Sequence, residues 1–455
     1  MNTTFTSHAR GQVSITCFLV LALAGAPAAQ GALPHPLAPP APAGSSDPSR
    51  APLPALLAEA LQHNPEIRAA GQEHEAASQR IEPAGALDDP MLEAGVLNLP
   101  TRSFSFTPED MTMKMLGLSQ RFPYPGKRAL RRDVAQKGAD SVSLAARETT
   151  NRVARELKIA YYDLALVIES ESVVEQNRAL LGQLLKVAES RYSVGQGSQL
   201  DVLKAQTAYS RMSEELIRLA RERPMLEAEL NRLLGRPASA PAPVPVPLEV
   251  SAAALPFPKL EEQAATGRPQ LLALQALTIR NQHALELAAK DRFPDFDVRF
   301  SYGQRDRMPD GTPRSDVVTL TVAINLPVWR QAKTNPRIAE AQALYEQSLS
   351  TYEMQRNETS MKLRQQVAVA EQSLRAAALY RNELVPQSRL AVDAALSAYQ
   401  VNRLDFSPLL DSRMSVLNFE ISRAAAIASY NKALAEIDFL TGTPPESSTQ
   451  TRGHP

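Results

Sequence analysis

Three methionines at alternate positions are the residues of this 455-residue chain whose type and spacing could bind a metal. Met111, Met113 and Met115 would share one face of a strand, and thioether sulfur is a ligand suited to Cu(I). Methionine also commonly fills irregular apolar space, which explains the same pattern without a ligand. We therefore expect no metal site, and keep only Met113 and Met115 as candidate ligands.

The other reactive side chains form no pattern typical of an enzyme. The six histidines include no closely spaced ligand pair, and neither a phosphate-binding loop nor a nucleophile motif is present. The 49 basic residues are balanced by 49 acidic ones, so the overall charge gives no nucleic-acid footprint. We expect a protein with no enzymatic activity and no cofactor, which does not bind nucleic acid.

The segment QRFPYPGKRALRRD, residues 120–133, separates two kinds of pattern. Before it, apolar residues alternate with polar ones as in a strand, and after it they recur with helical spacing. Pro125 and Gly126 are strong stop signals for a strand. The 98 residues between Pro125 and Pro224 contain no proline. The sequence therefore predicts a short extended element joined to a very long helix.

The chain contains an internal duplication. Three prolines recur 204 residues later: Pro65 as Pro269, Pro90 as Pro294, and Pro123 as Pro327. Three further residues recur 207 residues later: Tyr192 as Tyr399, Gly235 as Gly442, and Pro237 as Pro444. Constant offsets of this kind indicate two copies of one unit, with three extra residues in the second copy between the two blocks.

The first thirty residues have the pattern of a secretory signal. Arg10 precedes an apolar run over 13–26, which ends in small residues. The only cysteine, Cys17, lies in that run, so the mature chain could form no disulfide. The predicted organisation is a signal peptide 1–28, a proline-rich linker 29–53, a first repeat 54–236, a proline-rich linker 237–258, a second repeat 259–443 and a disordered tail 444–455.

Each repeat is predicted to contain short helices, a β-hairpin and two longer helices. In the first repeat these are a helix over 65–86, a hairpin over 91–121 and helices over 128–192 and 199–234; in the second they are a hairpin over 295–325 and helices over 336–400 and 408–441. A 65-residue helix is about 98 Å long, and such a rod is too elongated to bury itself alone. We expect it to pack against copies of the same chain.

The hairpins should have one apolar and one polar face. Alternation in the second repeat separates Phe296, Val298 and Phe300 from Asp297 and Arg299. The repeat offset transfers this register to the first hairpin. There it predicts an apolar face with Leu92, Ala94, Val96, Leu116 and Leu118, and an opposite face with Glu93, Met113, Met115, Gly117 and Ser119.

Strands of this length with one apolar face can span a bilayer when tilted, although an amphipathic hairpin on a soluble core has the same pattern. The signal sequence, the cysteine-free mature chain and aromatic residues at the strand ends favour the membrane. Phe122, Tyr124 and Trp329 would then lie at the membrane interface. Strand edges cannot stay open in lipid, and four strands per chain cannot enclose a conduit, so three or more chains would be needed.

These residues resemble the TolC family of outer-membrane efflux proteins over nearly the whole mature chain. The resemblance rests on LAEALQHNPEI, QRFPYPGK, RYSVGQGSQLDVLKAQ, FPDFDVRFSYG and LTVAINLPVW. It implies a mainly α-helical fold with a membrane β-barrel part, in which two tandem repeats of antiparallel helices and a hairpin assemble as a homotrimer. It also implies a 12-stranded barrel in the outer membrane of a Gram-negative bacterium and an α-helical tunnel across the periplasm. The proline-glycine-lysine after the first hairpin is most similar to the heavy-metal efflux branch.

The resemblance further implies roles for particular residues. The turns at 194–199 and 401–407 would form the periplasmic tip, where the tunnel closes and a periplasmic adaptor docks, with an inner-membrane pump of the resistance-nodulation-division type beyond it. The candidate tip residues are Tyr192, Gly195, Gly197, Asp201, Arg403 and Asp405, and helix capping explains the two aspartates equally well. Glu93, Asp297 and Arg299 would face the barrel lumen.

Two other functions remain open at this point. A duct of the same type could export drugs or secreted peptides instead of heavy-metal cations. A protein of a different class, a soluble periplasmic coiled-coil scaffold or adaptor, could use the hairpins as a small packed sheet. Basic residues after the first hairpin, Lys127, Arg128, Arg131 and Arg132, would lie near lipid headgroups in a duct and in water in a scaffold.

Overall fold

The computed structural model describes residues 51–250 and 253–445. The predicted signal peptide, most of the linker 29–53 and all but the first residues of the tail 444–455 lie outside this range. The first repeat contains helices α1 (Leu53–His63), α2 (Pro65–Ser78) and α3 (Ile81–Gly85), strands β1 (Met91–Leu97) and β2 (Met113–Phe122), and helices α4 (Lys127–Ser193) and α5 (Gln199–Leu233). The second contains α6 (Phe257–Gly267), α7 (Pro269–Lys290), β3 (Phe296–Gln304), β4 (Val317–Ile324), α8 (Asn335–Leu379), α9 (Val385–Gln400) and α10 (Phe406–Thr441).

The second helix of each repeat, α2 or α7, begins at a proline. Asn64 precedes α2, and its side-chain oxygen accepts hydrogen bonds from the N–H groups of Glu66 and Ile67. Its side-chain amide also donates to the carbonyl of Leu233, at 2.8 Å, which ties the start of α2 to the end of α5. This N-cap joins the two ends of the first repeat.

The single helix predicted over 65–86 is wrong, because the structure divides it into α2 and α3. The break falls at 79–80, where both residues keep near-helical backbone angles. Pro83 has no N–H to donate to the carbonyl of Gln79, so the regular hydrogen-bond series cannot continue through this point.

The long helix of the first repeat is continuous, whereas its counterpart is not. Helix α4 runs for 67 residues without interruption. In the second repeat, five-residue π segments at Arg330–Thr334 and Tyr380–Leu384 precede α8 and separate it from α9. A π segment inserts extra backbone into a helical turn without ending the helix.

Each repeat has its own apolar core where the short first helix meets the long helices. In the first repeat, Leu56 and Leu57 of α1 pack against Leu157 of α4 and Leu233 of α5. In the second, Ala264 of α6 packs with Leu363 of α8 and residues of α10. Two further clusters join the repeats, because they combine α4 and α5 with α9 or α10. Core packing thus holds both repeats in one unit.

The four strands form one antiparallel sheet in the order β1-β2-β3-β4. The pairing of β2 with β3 joins the two hairpins, with Leu118 opposite Phe300 and Ser119 opposite Arg299. Within the described residues, β1 and β4 each have a strand neighbour on one side only. The sheet is therefore open at both edges.

Candidate functional site

One face of the sheet is apolar and exposed. Leu118 lies between Leu92 and Phe300, and Phe300 lies opposite Leu320, so apolar residues form continuous rows across the strands. The most exposed members, all about half exposed or more, are Leu92, Leu116, Leu118, Phe300, Val318, Leu320, Val322 and Ile324. This register confirms the predicted apolar face.

The opposite face is polar and carries an ion pair. Glu93 of β1 and Arg299 of β3 lie across the central strand, and their side chains meet at 3.2 Å between Oε1 and Nη2. Gly117 and Ser119, the residues of β2 between them, have small side chains that leave room for this contact. Asp297 lies on the same face, opposite Ala323. The predicted register of this face is also confirmed.

Of the three methionines, Met113 is buried, Met115 is half-buried and Met111 is exposed. Met113 is buried, and its sulfur lies so close to Gly303 that a Cβ on that glycine would approach it to 2.5 Å. Met111 precedes the strand and is exposed. Among the described residues no group of three or more histidine, cysteine, aspartate or glutamate side chains could hold a metal ion. Packing over Gly303 is sufficient to explain a methionine at position 113 without a role as a metal ligand.

The residues below the strands form a second polar centre, which sequence reasoning missed. We call segments 122–127, 291–295 and 325–329 the strand base. The Nζ of Lys127 is buried there, 2.9 Å from Oδ1 of Asp295 and 3.3 Å from Oδ1 of Asp291. This centre joins the first repeat to the second.

Asp295 accepts several hydrogen bonds in the strand base. Its Oδ1 accepts from the N–H of Tyr124 at 2.9 Å as well as from Lys127, and its own N–H donates to Oδ1 of Asn325 at 2.5 Å. Burial alone would raise the pKa of Asp295, but these hydrogen bonds and the positive charge of Lys127 hold that pKa below its usual value. The carboxylate is therefore ionised, and it ties the end of β2 and the segment after it to the segment before β3.

The three predicted interface aromatics differ in exposure. Tyr124 is half-buried in the strand base and stacks on Phe293, with 4.6 Å between ring centroids. Phe122 lies opposite Phe296 at the end of the apolar rows, and is exposed. Trp329 is 75% exposed. Phe122 and Trp329 are thus more exposed than Tyr124.

The two turns between the long helices have the same backbone structure. In the first turn, Gly195 donates to the carbonyl of Tyr192 at 3.0 Å and Gln196 to that of Arg191 at 2.8 Å. In the second, Asn402 and Arg403 donate in the same way, to Tyr399 and Ala398. Gly195 and Asn402 occupy corresponding positions with positive φ, 75° and 59°. Both turns are Schellman motifs, in which glycine and asparagine are the favoured residues.

The helices after the turns begin differently. Ser198 caps α5, with its hydroxyl oxygen accepting from the N–H of Leu200 and Asp201 accepting from the N–H of Ser198, which completes a capping box. Asp405 caps α10 without a side-chain hydrogen bond, and Arg403 is exposed. Capping therefore accounts for Asp201, and not for the side chain of Asp405.

The turns are joined by a contact that was not predicted. Arg191 donates from Nη1 to the carbonyl of Tyr399 at 2.6 Å, and its guanidinium lies 4.4 Å from the centroid of the Tyr399 ring. Tyr399 is 4% exposed, whereas its counterpart Tyr192 is 49% exposed. Burial raises the pKa of the Tyr399 hydroxyl. The sequence singled out Tyr192, but the structure makes Tyr399 the packed residue of the pair.

None of the described helices has an apolar stretch long enough to cross a bilayer.

Comparisons with known proteins agree with this geometry. Residues 56–236 match the family model described as outer membrane efflux protein. The fold is similar to the outer membrane protein VceC from Vibrio cholerae, with a TM-score of 0.73 and 18% identity over 86% of this chain and 96% of that one. It is also similar to the outer-membrane channel OprN, with a TM-score of 0.75 and 18% identity over 87% of this chain and 90% of that one. The open state of the MtrE outer membrane channel of Neisseria gonorrhoeae gives a TM-score of 0.71 and 18% identity over 88% of this chain and 91% of that one.

Curated protein sequences gave no match. The family match covers the first repeat, and the structural matches cover both repeats. The first repeat therefore matches the outer membrane efflux protein family, and the described chain as a whole has the fold of these outer-membrane channels.

Proposed function

We propose that the whole chain is a TolC-type outer-membrane efflux protein, a subunit of a passive export duct from the periplasm to the exterior. In this proposal it lies in the outer membrane of a Gram-negative bacterium, forms a homotrimer with a 12-stranded barrel, and continues as an α-helical tunnel in the periplasm. The observation that carries the proposal is the sheet, which has an exposed apolar face and two open edges. If three such sheets were joined edge to edge, the free main-chain N–H and C=O groups of every β1 and β4 would be hydrogen-bonded to a neighbouring strand.

The energetics of the sheet favour a duct over a soluble scaffold. In a scaffold, the exposed rows around Phe300 and Leu320 would remain in water, at a cost of roughly 25 cal/mol for each Å² of apolar surface. In a barrel the same rows contact lipid, and the open edges, which hydrocarbon does not tolerate, are paired. Glu93, Asp297 and Arg299 then face the lumen, where charged side chains influence which solutes pass.

The helices also support assembly with sister chains. The first half of α8 has no buried residue before Thr359, and apolar side chains such as Leu344, Leu349 and Met354 are exposed on it. Large exposed apolar surfaces on a folded protein mark interaction sites. Neighbouring subunits of a trimer would cover this helix.

We place adaptor docking and closure of the tunnel at the two helix turns, with the candidates Tyr192, Gly195, Gly197, Asp201, Arg403 and Asp405. The exposure of Tyr192 and Arg403 supports an interaction surface there. The duct contains no energy source of its own in this proposal. A periplasmic membrane-fusion adaptor and an inner-membrane pump of the resistance-nodulation-division type would supply it.

Heavy-metal cations are the proposed cargo. This assignment rests on the proline-glycine-lysine segment, and the carboxylates Glu93 and Asp297 on the polar face suit passage of cations. A deletion strain tested on copper, zinc, cadmium and a panel of drugs separates the alternatives. Lower tolerance to the metals supports the assignment, whereas unchanged metal tolerance with raised drug sensitivity contradicts it.

Membrane fractionation of two matched variants tests the duct itself. Leu320→Asp places a charge on the apolar face, which we expect to reduce outer-membrane insertion, since a carboxylate facing lipid is destabilising, although by less than the roughly 2–4 kcal/mol of an arginine or lysine at the bilayer midplane. Thr321→Asp places the same charge on the next residue, opposite Arg299 on the polar face, and should insert normally. Recovery of the wild-type protein as a soluble monomer, or normal insertion of Leu320→Asp, would contradict the proposal.

A further inference from the structure

A cavity of about 440 Å³ opens at the strand base, between the ends of the strands and the beginnings of the helices that follow them. Its charged lining is mainly basic. Five basic side chains, Arg121, Lys127, Arg131, Lys333 and Arg337, face two acidic ones, Asp291 and Asp295. The excess of positive charge makes the cavity suitable for an anion.

The two acidic residues are already paired. Lys127 contacts both of them, Arg121 lies 3.3 Å from Asp295, and Arg337 lies 3.9 Å from Asp291. Arg131 and Lys333 are the two remaining basic residues of the lining. In the part of the chain that the structure describes, neither of these two side chains makes a hydrogen bond or ion pair.

The neighbouring basic residues are engaged elsewhere. Arg128 donates from Nε to the carbonyl of Gly85 at 2.8 Å, and Arg132 forms an ion pair with Glu82. Of the four basic residues expected near lipid headgroups, Lys127 is buried in an ion pair and Arg128 and Arg132 are bonded to α3. Arg131 alone combines an unpaired charge with a place in the cavity.

Part of the cavity lining is apolar and exposed. Leu326 and Val328 are 72% and 69% exposed, and Trp329 lies beside them. Both residues follow the end of β4, and the N–H of Val328 donates to the carbonyl of Leu326 at 2.9 Å, which makes a tight turn at Pro327. Basic side chains and exposed apolar side chains thus line the same cavity, an arrangement that suits an amphiphile with an anionic head.

We propose that this cavity binds the phosphate of one anionic phospholipid, with Arg131 and Lys333 as its ligands and the acyl chains against Leu326 and Val328. Arginine offers a planar pair of N–H donors to phosphate oxygens, and lysine adds a point charge. The inference rests on the proposed function, since only in an outer-membrane duct does the strand base lie at a membrane surface. The headgroup would fix the height of the duct in the bilayer.

Lipid binding by two charge-matched double variants tests the site. Arg131→Gln with Lys333→Gln removes both ligands, whereas Arg132→Gln with Arg330→Gln removes the same charge from the same two segments outside the cavity lining. One basic residue near an anionic surface is worth roughly a five-fold change in affinity, so loss of two should weaken binding roughly 25-fold. The purified trimer is titrated with phosphatidylglycerol in detergent, and bound lipid is counted by native mass spectrometry.

Three further additions distinguish the sources of the phosphate. Phosphatidylcholine tests the need for net negative charge, while inorganic phosphate and glycerol 1-phosphate test whether the acyl chains contribute. We expect phosphatidylglycerol to bind the wild-type and the Arg132/Arg330 variant equally, and the soluble anions not to compete at similar concentrations. A third variant, Arg131→Lys with Lys333→Arg, keeps both charges and should retain binding.

The possible results separate this inference from the proposed function. Equal weakening in both charge-matched variants, or competition by inorganic phosphate at equal concentration, would overturn the lipid site while the trimer remains in the outer membrane. Failure of the wild-type protein to reach the outer membrane would overturn the proposed function, and the lipid site with it. Loss of binding in the Arg131/Lys333 variant alone supports the site.

Discussion

The strand base and the helix turns show two different outcomes of the same duplication. At the strand base the two repeats are unlike, since the first supplies Lys127 and the second supplies Asp295. The repeat offset places Gln331 and Met91 at the corresponding positions, so neither residue has an equivalent in the other copy. At the helix turns, by contrast, the two copies form the same hydrogen bonds from different sequences.

This difference follows from the groups that make the contacts. A Schellman turn uses main-chain donors and acceptors, which every residue carries, so both copies can keep it while side chains diverge. The same turn also closes α5 and α10, where Gly235 and Gly442 have φ values of 73° and 71°. A buried ion pair needs opposite charges, so the two copies must differ wherever they meet through one.

Loss of the lysine should have the largest effect on stability. Lys127→Met leaves Asp295 buried without its main cation, which should lower the free energy of unfolding by about 3–5 kcal/mol. Adding Asp295→Asn removes the stranded charge and keeps an oxygen for the N–H of Tyr124, so the double variant should recover part of that loss. Chemical unfolding of the detergent-solubilised protein measures both. A single variant as stable as the double one would show that the ion pair does not hold the repeats together.

Alanine at two glycines with the same φ should separate turn geometry from packing. At Gly442 a Cβ would meet backbone atoms of the α6 to α7 junction, with 2.8 Å to the Cα of Arg268, whereas at Gly195 it would meet nothing within 4 Å. We expect Gly195→Ala to cost about 1 kcal/mol, the penalty of positive φ alone, and Gly442→Ala to cost about 3 kcal/mol. Thermal unfolding in detergent compares them. Equal losses would mean that the junction relaxes freely around the added carbon.

Valine at the first turn should affect export more than assembly. At Gly197 a Cβ would lie 3.2 Å from the Cβ of Arg191, and Gly195 requires positive φ, so Gly195→Val with Gly197→Val should distort the turn locally. The core clusters of each repeat lie elsewhere, and we expect the trimer to form normally. Export assays and native gels of the same strain provide the two readouts. Normal export by this variant would count against the role assigned to the turn.

The smallest expected effect comes from making the second turn like the first. Asn402→Gly removes the side chain from a residue at φ 59°, which should stabilise the folded protein by less than about 1 kcal/mol. The reverse change, Gly195→Asn, should destabilise it by a similar amount. Because the two differences are opposite in sign, a double variant should unfold at nearly the wild-type temperature. A large change in either single variant would show that the two turns are not equivalent.

The sequence predicted the parts of the fold that depend on local periodicity. Alternation in β3 and β4, transferred by the repeat offset, was sufficient to assign Leu92 and Glu93 to opposite faces of β1. It was not sufficient to pair β2 with β3, because that contact joins residues about 180 positions apart and depends on both repeats together. The break after α2 was missed because a proline near a helix start and one inside a helix look alike in sequence.

The candidate sites were predicted less completely than the fold. Contacts such as Lys127 with Asp295 and Arg191 with Tyr399 join residues distant in the chain, and no spacing rule reveals them. One signal was available for the first pair. Two charged residues with uncharged counterparts in the other repeat are candidates for a contact between the copies.

The π segments bear on how the two copies can be aligned. The second copy contains three more residues than the first between Pro327 and Tyr399, and both π segments lie in that interval. A single π turn takes up about one extra residue, so the two segments can hold two of the three extra residues within the helices instead of in a loop. Alignments that confine gaps to loops would shift part of α8 and α9 against α4, and would assign the wrong ancestral partner to every residue between.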